Sequence, residues 1–152
     1  MTAPSVAAAA EGDLPELVPL VSAYEDFYEV PAPPDAIEAF CRDLLADAEH
    51  GGVQLIARDA GGAAVGFATA YWTRETTKLA RIAVMNDLFV APAARGAGAA
   101  EALIGACRER AAARGCATLE WVTAVDNHRA QKVYDRVGGT ASPWLTYELP
   151  AA

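Results

Sequence analysis

The sequence has little cysteine, and its cysteines lack the spacing of a metal or disulfide site. Cys41, Cys107 and Cys116 are the three cysteines, an odd number without a Cys-x-x-Cys pair. Disulfide frameworks use even numbers of cysteines, and structural zinc sites use closely spaced pairs. The pattern therefore predicts reduced thiols and no metal site.

Long apolar runs are also missing. No run approaches the roughly 18 residues of a membrane span, and the first ten residues lack the basic start and long apolar core of a secretion signal. The 152 residues, 53% of them hydrophobic, suffice to bury one substantial core. We therefore expect a single domain over residues 1–152 of a soluble, cytoplasmic protein.

Positive charge is nearly absent from the first third of the chain. Up to His50 there are eleven acidic residues and one basic residue, Arg42, whereas the remainder has nine acidic and eleven basic residues. A net charge of −8 repels polyanions and attracts small cations. This balance argues against nucleic acid as a partner and suggests a cationic ligand for the acidic part, although these acids could instead form only a solvated surface.

What the sequence does have is a turn poor in side chains, which joins an apolar strand to a helix between Leu88 and Ala100. Gly96 and Gly98 allow a ligand to approach the backbone, and Arg95 places a positive charge where the first N–H groups of the helix lack partners. This predicts an anion cradle suited to phosphates, with an ordinary βα turn as the alternative. The turn lacks both the Gly-Lys-Ser/Thr of a P-loop and the third glycine of the dinucleotide fingerprint.

Hydrophobic periodicity predicts an α/β fold with a mixed sheet. Three successive strands joined by short turns indicate an antiparallel meander, and a strand reached through a helix should lie parallel to the strand before the turn. The predicted strands are 5–10, 53–58, 65–72, 79–90, 118–125 and 144–149. The predicted helices run from a cap at Asp13 to Phe27 with a kink at Pro19, from a cap at Asp35 to His50, from the turn to Gly115, and from Asn127 to Val137.

Two motifs resemble those of the GCN5-related N-acetyltransferases (GNAT). Arg95-x-x-Gly98-x-Ala100 is similar to the acetyl-CoA pyrophosphate loop of that family, and Asn127-x-x-Ala130-x-x-Val-Tyr134-x-x-x-Gly138 is similar to its second signature. The resemblance implies a mixed, mostly antiparallel central sheet flanked by helices, with a splayed parallel strand pair at the cofactor site. It also implies acetyl-CoA as co-substrate, no metal, and acetyl transfer to an amine.

The resemblance also assigns the cofactor residues. The backbone of the strand end would pair with the pantetheine arm, and the turn would hold the pyrophosphate. Asn127 would contact the cofactor, and Tyr134 would lie near the sulfur. The residues concerned are Leu88, Phe89, Val90, Arg95, Gly96, Ala97, Gly98, Ala99, Ala100, Asn127 and Tyr134.

Within the family, the chain most resembles the diamine and thialysine acetyltransferase branch. The residues that carry this similarity lie in Tyr24-Glu-Asp-Phe-Tyr28, Tyr71-Trp72-Thr73 and Met85-Asn-Asp-Leu-Phe-Val90, and at Trp144. It implies a small cationic acceptor, namely a polyamine, a diamine or an amino-acid-like amine, and a homodimer is expected. The candidate acceptor-binding residues are Tyr24, Asp26, Tyr28, Glu29, Trp72, Glu75 and Trp144.

Acetyl transfer to an amine requires a base that removes a proton from the ammonium group, and a general acid would help the thiolate to leave. An alkylammonium with a pKa near ~10.4 must lose a proton before its nitrogen can attack a thioester. Asn86 stands where that branch usually has a glutamate and can only orient a water. Asp87, Glu75 and Glu29 are therefore candidates for the base or for an anchor of the ammonium group. Strand alternation would place Asp87 on the opposite face from Asn86, and Asp87 could instead be structural.

Tyr134 is the candidate general acid for the departing thiolate, with core packing as its alternative role. Two other functions stay open from the sequence. One is a non-catalytic acyl-CoA-binding or regulatory module on the same fold. The other is an acetyltransferase that acts on an aminoglycoside or a protein amine.

Overall fold

The computed structural model describes residues 2–152. It contains two compact units, Met1–Val122 and Thr123–Ala152. The expectation that residues 1–152 act as one domain stays a prediction.

The first unit is built on a five-stranded sheet with strand order β1-β2-β3-β4-β5. The first three pairings are antiparallel and the β4–β5 pairing is parallel, which confirms the predicted mixed α/β fold. Its elements are β1 (Ser5–Ala8), α1 (Leu14–Phe27), α2 (Pro34–Ala46), β2 (Gly52–Arg58), β3 (Ala64–Glu75), β4 (Ala80–Val90), α3 (Ala99–Ala113) and β5 (Leu119–Glu120), with 3-10 turns at Glu11–Asp13 and Pro92–Ala94. The second unit contains α4 (His128–Arg136).

The helix starts differ in part from the prediction. Asp13 lies at the start of α1, but its carboxylate accepts a hydrogen bond from the Ala10 N–H at 2.8 Å and does not cap α1 itself. The second helix begins at Pro34, so the prediction of Asp35 as its cap is wrong. Proline has a fixed φ that suits the first helical position, which explains the earlier start. α1 continues through Pro19 to Phe27.

Helices cover both faces of the sheet, and β2 is consequently buried from Gly52 to Ala57. On one face, α1 and α2 pack against a row of strand residues, with a core formed by Leu14, Leu17, Leu20, Val21, Ile37, Cys41, Ile56, Phe67 and Phe89. α3 packs against strands β1 to β4 and contributes buried Leu103, Ile104, Cys107 and Ala111. Cys41 and Cys107 are fully buried, and burial raises the pKa of the Cys107 thiol to about 12. Phe40 of α2, by contrast, is 56% exposed.

The β3–β4 hairpin is longer than predicted. Residues 73–75, expected to lie in a loop, extend β3, because their backbone pairs with β4 as far as Glu75 opposite Ala80. Leu79, the predicted first residue of the next strand, lies in the turn with a φ of 50° and is 91% exposed.

Two predicted strands near the carboxyl end are not formed as expected. The strand predicted at 118–125 is limited to Leu119–Glu120, and Val122 and Val125 are exposed. Residues 144–149 form no strand in the described chain, and their large apolar side chains are exposed. Alternating apolar residues fit a strand, but only hydrogen bonds to a neighbouring strand create one. None of the helices within residues 2–152 is both long and apolar enough to span a membrane.

Candidate active site

The turn before α3 presents backbone groups without side chains in front of them. Gly96 and Gly98 have φ values of 85° and 86°, a region that glycine adopts without steric cost. Space is open where a Cβ atom would stand at either residue. Gly98 occupies the N-cap position of α3 and has no side chain to accept the first helical N–H groups. The start of this helix can therefore donate several N–H groups to an anion.

Arg95 connects this turn to the end of β4. Its Nε donates a hydrogen bond to the Val90 carbonyl oxygen at 3.0 Å. The guanidinium charge thus lies between the strand end and the start of α3. Positive charge and helical N–H groups at one place favour phosphate oxygens.

At the end of β4, one edge of the strand extends past its parallel partner β5. β4 pairs with β5 only through Ala83 opposite Leu119 and Val84 opposite Glu120. On its other edge, β4 pairs with β3 as far as Val90 opposite Gly66. Leu88, Phe89 and Val90 therefore lie on a strand segment whose edge away from β3 extends past the β5 pairing. Such an edge suits hydrogen bonds to the amide groups of an extended ligand.

A β-bulge sets the orientation of the two polar residues before that segment. Thr69 lies opposite Asp87 and Ala70 lies opposite Met85, so Asn86 is the extra residue in β4. The Asn86 Nδ2 donates to Asp87 Oδ1 at 3.1 Å. The expectation that the two side chains lie on opposite faces is wrong at this position, because a bulge interrupts the alternation of the strand. Asn86 thus holds the Asp87 carboxylate.

Asp87 ends a polar row that crosses three strands. Gln54 on β2 lies opposite Thr69 on β3, and Thr69 lies opposite Asp87 on β4. Their side chains lie on the face that α1 and α2 cover, since Ile56, Phe67 and Phe89, two residues along each strand, pack against those helices. Gln54 is 2% exposed and Thr69 is 0% exposed, whereas Asp87 is only half-buried.

Sequence reasoning missed Gln54 and Thr69. The Gln54 Nε2 donates to Thr69 Oγ1 at a long 3.5 Å. Each is a polar residue within a run of apolar strand residues, and that was the available signal. Their alignment with Asp87 depends on the pairing register, which a single strand does not reveal.

Helices α1 and α2 place further polar groups over this row. Burial raises the pKa of the Cys41 thiol, a hydrogen bond from Gln54 opposes that shift, and the charges of Glu25 and Asp87 raise the pKa further. Burial and the Asp87 charge also raise the pKa of the Tyr71 hydroxyl. Glu25 and Asp87 form no ion pair within residues 2–152. These residues, Glu25, Cys41, Tyr71 and Asp87, form a polar cluster. Its two carboxylates have no cationic side chain as a partner in the described part of the chain.

Aromatic rings from the end of α1 lie beside this cluster. The Tyr24 ring lies over the strand core, with centroids 5.5 Å from Phe67 and 6.0 Å from Phe89. The Tyr28 ring contacts Tyr24 edge-on at 5.0 Å. Tyr24 thus reaches the sheet, while Tyr28 is 53% exposed and Asp26 and Glu29 are exposed.

Trp72 and Glu75 lie apart from the polar row. Trp72 falls on the opposite face of β3 by alternation, where the Arg114 guanidinium stacks on its ring at 5.2 Å. It lines a cavity of about 400 Å³ together with the carboxyl-terminal half of α3, at the far end of that helix from the Arg95–Ala100 turn. Glu75 accepts a hydrogen bond from Thr77 and lies 3.7 Å from the Lys78 Nζ. The structure does not bring these two residues together with Asp87.

The second unit carries Asn127, Tyr134 and Trp144. Asn127 caps α4, since its Oδ1 accepts the Ala130 N–H at 3.2 Å. Tyr134 is half-buried on α4, and Trp144 is 87% exposed. Their roles at the cofactor and the acceptor stay predictions.

Comparison with known proteins agrees with this geometry. A family model described as the acetyltransferase (GNAT) family matches residues 17–139. The uncharacterized N-acetyltransferase YhfO of Bacillus subtilis is 33% identical over 126 residues, which cover 83% of each chain. The D-amino-acid N-acetyltransferase HPA3 of Saccharomyces cerevisiae is 31% identical over 115 residues, which cover 75% of this chain and 71% of HPA3. The crystal structure of a probable acetyltransferase superposes with a TM-score of 0.86 at 27% identity, over 97% of this chain and 98% of the other.

The turn can be tested with two matched glycine variants at opposite ends of α3. Gly98→Val and Gly115→Val both place a side chain at a positive φ with open space around it, so each should cost a similar ~1–2 kcal/mol of stability. Only Gly98→Val obstructs the N–H groups at the start of the helix. We expect its affinity for acetyl-CoA, measured by calorimetry, to fall about ten-fold or more.

Gly115→Val should lose a similar amount of thermal stability and keep its acetyl-CoA affinity. Equal affinities in the two variants would show that the turn does not hold the cofactor.

Proposed function

The chain belongs to the acetyltransferase (GNAT) family and is an acetyl-CoA-dependent N-acetyltransferase, and we propose that its acceptor is a small cationic amine bound on the face of the sheet under α1 and α2. The observation that carries this proposal is the pair of carboxylates, Glu25 and Asp87, without a cationic partner. A half-buried carboxylate without an opposite charge beside it is unfavourable. A cationic acceptor would neutralise both.

The residues at the turn fit the co-substrate. Open space at Gly96 and Gly98, the uncapped start of α3 and the Arg95 charge support binding of its pyrophosphate by Arg95, Gly96, Ala97, Gly98, Ala99 and Ala100. The extended strand segment Leu88–Val90 would hold its amide arm. Acetyl-CoA supplies the activated acetyl group as a thioester.

The acceptor surface combines negative charge with aromatic rings. Glu25 and Asp87 provide the charge, and Tyr24 and Tyr28 provide rings of the kind that attract ammonium groups. Because Asp26 and Glu29 are exposed, we assign them to attraction of the acceptor from solution and not to direct contact. In this proposal the acceptor lies next to the end of β4, beside the strand segment proposed for the cofactor.

Asp87 is the base that the geometry favours. Its half-buried carboxylate is fixed by the Asn86 amide at 3.1 Å, whereas Glu75 is engaged by Thr77 and Lys78. Asp87 would take a proton from the acceptor ammonium, directly or through one water, and release it to solvent. Asn86 then acts as a positioning residue, which accounts for an amide at a place where the resembling branch has a glutamate.

Transfer then requires one bond to form and one to break. The neutral amine nitrogen attacks the acetyl carbonyl carbon and a C–N bond forms. The nitrogen then loses its extra proton to solvent, and the C–S bond breaks. We propose that a backbone N–H of Phe89 or Val90 stabilises the developing oxyanion. The Tyr134 hydroxyl would give its proton to the leaving sulfur and regain one from solvent.

The proposed role of Asp87 as the base can be tested by the pH dependence of kcat. Wild type should release CoA thiol from acetyl-CoA with small amines such as 1,5-diaminopentane. Asp87→Asn should lower kcat about 10²-fold at pH 7, and the defect should shrink as the pH approaches the ~10.4 of an alkylammonium, where the amine needs no base. Glu75→Gln is the matched control and should behave as wild type.

A defect of the same size at every pH would assign Asp87 to binding or structure. No thiol release by wild type with any cationic amine would overturn the proposed acceptor class.

Tyr134→Phe tests the general acid. The change keeps the ring and removes only the hydroxyl, so kcat should fall about ten-fold or more while acetyl-CoA affinity and melting temperature stay close to wild type. Tyr147→Phe, an exposed tyrosine of the same unit, serves as control. A normal kcat with a lower melting temperature would make Tyr134 a packing residue.

The homodimer and the cytoplasmic location stay predictions.

A further inference from the structure

The cavity beside Trp72, called the Trp72 cavity below, lies at an edge of the sheet and has a volume of about 400 Å³. β1 pairs with β2 only as far as Ala8 opposite Leu55, so Gly52 and Val53 at the start of β2 extend past the end of β1. The end of α2 and the carboxyl-terminal half of α3 line the space next to them. Within residues 2–152, the lining includes none of the residues assigned to acetyl-CoA.

Trp72 and Arg114 form one wall of this cavity and are held in place. The Trp72 Nε1 donates a hydrogen bond to the Ala48 carbonyl oxygen at 3.4 Å. The Arg114 guanidinium stacks on the Trp72 ring and donates to the same carbonyl at 3.0 Å and to the Glu49 carbonyl oxygen. These contacts join β3, α3 and the chain after α2. The wall is therefore formed before any ligand binds, as is usual for small-molecule sites.

A buried oxygen without a hydrogen-bond donor belongs to the lining. Gln54 lines the cavity and is 2% exposed. Its Nε2 donates to Thr69 Oγ1 at 3.5 Å, whereas its Oε1 has no partner within residues 2–152. Buried acceptors are nearly always hydrogen-bonded in native proteins. The Gln54 Oε1 therefore indicates where an N–H or O–H group of a ligand can bind.

Much of the remaining lining is apolar. Leu44 and Leu45 come from α2, Val53 comes from β2, and Trp72 adds an aromatic ring. A volume of about 400 Å³ lies within the range of roughly 300–1,000 Å³ that is typical of small-molecule sites. These side chains suit a small apolar ring or chain.

The charges of the lining favour an anionic group on that ligand. Arg110 and Arg114 lie one turn apart on α3, and Glu109 is the one acidic residue among the lining residues. Arg110 forms no ion pair in the described part of the chain, and the carbonyl partners of Arg114 leave its charge in place. A guanidinium binds a carboxylate through two parallel hydrogen bonds. An ammonium group would instead meet two like charges, which is unfavourable.

We propose that the Trp72 cavity binds a small apolar carboxylate that differs from both substrates. Its carboxylate binds Arg110 at the solvent side, since Arg110 is exposed. Its apolar part lies among the α2 leucines, Val53 and Trp72, and an N–H or O–H group on that part donates to Gln54 Oε1. Indole-3-acetate combines these three features and is a suitable probe.

The test compares indole-3-acetate with 1-naphthaleneacetate, which has a similar ring and the same carboxylate but no N–H group. By calorimetry, wild type should bind indole-3-acetate with a Kd of about 1 mM or lower, and 1-naphthaleneacetate about five-fold more weakly. Gln54→Leu removes the acceptor, so its affinity for indole-3-acetate should fall to that for 1-naphthaleneacetate. Loss of the ligand N–H and loss of the Gln54 amide should thus not be additive.

Arg110→Gln provides a second variant in case Gln54→Leu is poorly folded. Its affinity for both carboxylates should fall about ten-fold. Arg108→Gln, at an exposed arginine of the same helix outside the lining, is the matched control and should bind as wild type. Tryptamine has the same indole ring with an ammonium group and should bind wild type about ten-fold more weakly than indole-3-acetate or worse.

No binding of indole-3-acetate by wild type up to about 10 mM would overturn the inference. Equal affinities for the two carboxylates would do the same and assign the Gln54 oxygen to an internal water. Tighter binding of tryptamine would show that the cavity is a cation site. None of these readouts requires acetyl transfer, so they are independent of the proposed function.

Discussion

The pairing register of β2, β3 and β4 is the constraint on which the site depends. It places Ile56, Phe67 and Phe89 in one row under α1 and α2, and it places Gln54, Thr69 and Asp87 in the next row. A slip of one residue would exchange the two faces of a strand, turning its polar residue toward α3 and its apolar partner away from the helix core. Burial of the apolar row thus fixes the position of the polar row. The bulge at Asn86 adds the last element, since it turns an amide toward the Asp87 carboxylate.

The proposed binding sites of the two substrates are formed by different parts of the fold. We propose that the phosphates of acetyl-CoA bind at the start of α3, where Arg95 and uncapped N–H groups are positive. The proposed acceptor fits the acidic face under α1 and α2. The two features meet at the end of β4, because Asp87 is followed directly by the segment Leu88–Val90. Glu25 comes from the acidic first third of the chain, and Arg95 comes from its more basic remainder.

Much of this arrangement could be predicted from local sequence. The turn at Gly96 and Gly98, the burial of Cys41 and Cys107, and the parallel strand after α3 all follow from glycine conformations, helical periodicity and crossover rules. The polar row could not be predicted, because Gln54, Thr69 and Asp87 lie on three strands and share a face only once the register is known. The bulge could not be predicted either, because Asn86 is recognised as an extra residue only once β4 is paired with β3. Residues 144–149 have a strand pattern, but a pattern does not supply the neighbouring strand that a sheet requires.

The central claim is that the acceptor lies on the α1–α2 face of the sheet, beside Asp87. A crystal structure with CoA joined covalently through its sulfur to 1,5-diaminopentane would test it most directly. We expect the diamine arm to lie on the face of the sheet under α1 and α2, with the substituted nitrogen near Asp87. A diamine arm on the α3 side, such as in the cavity beside Trp72, would contradict it.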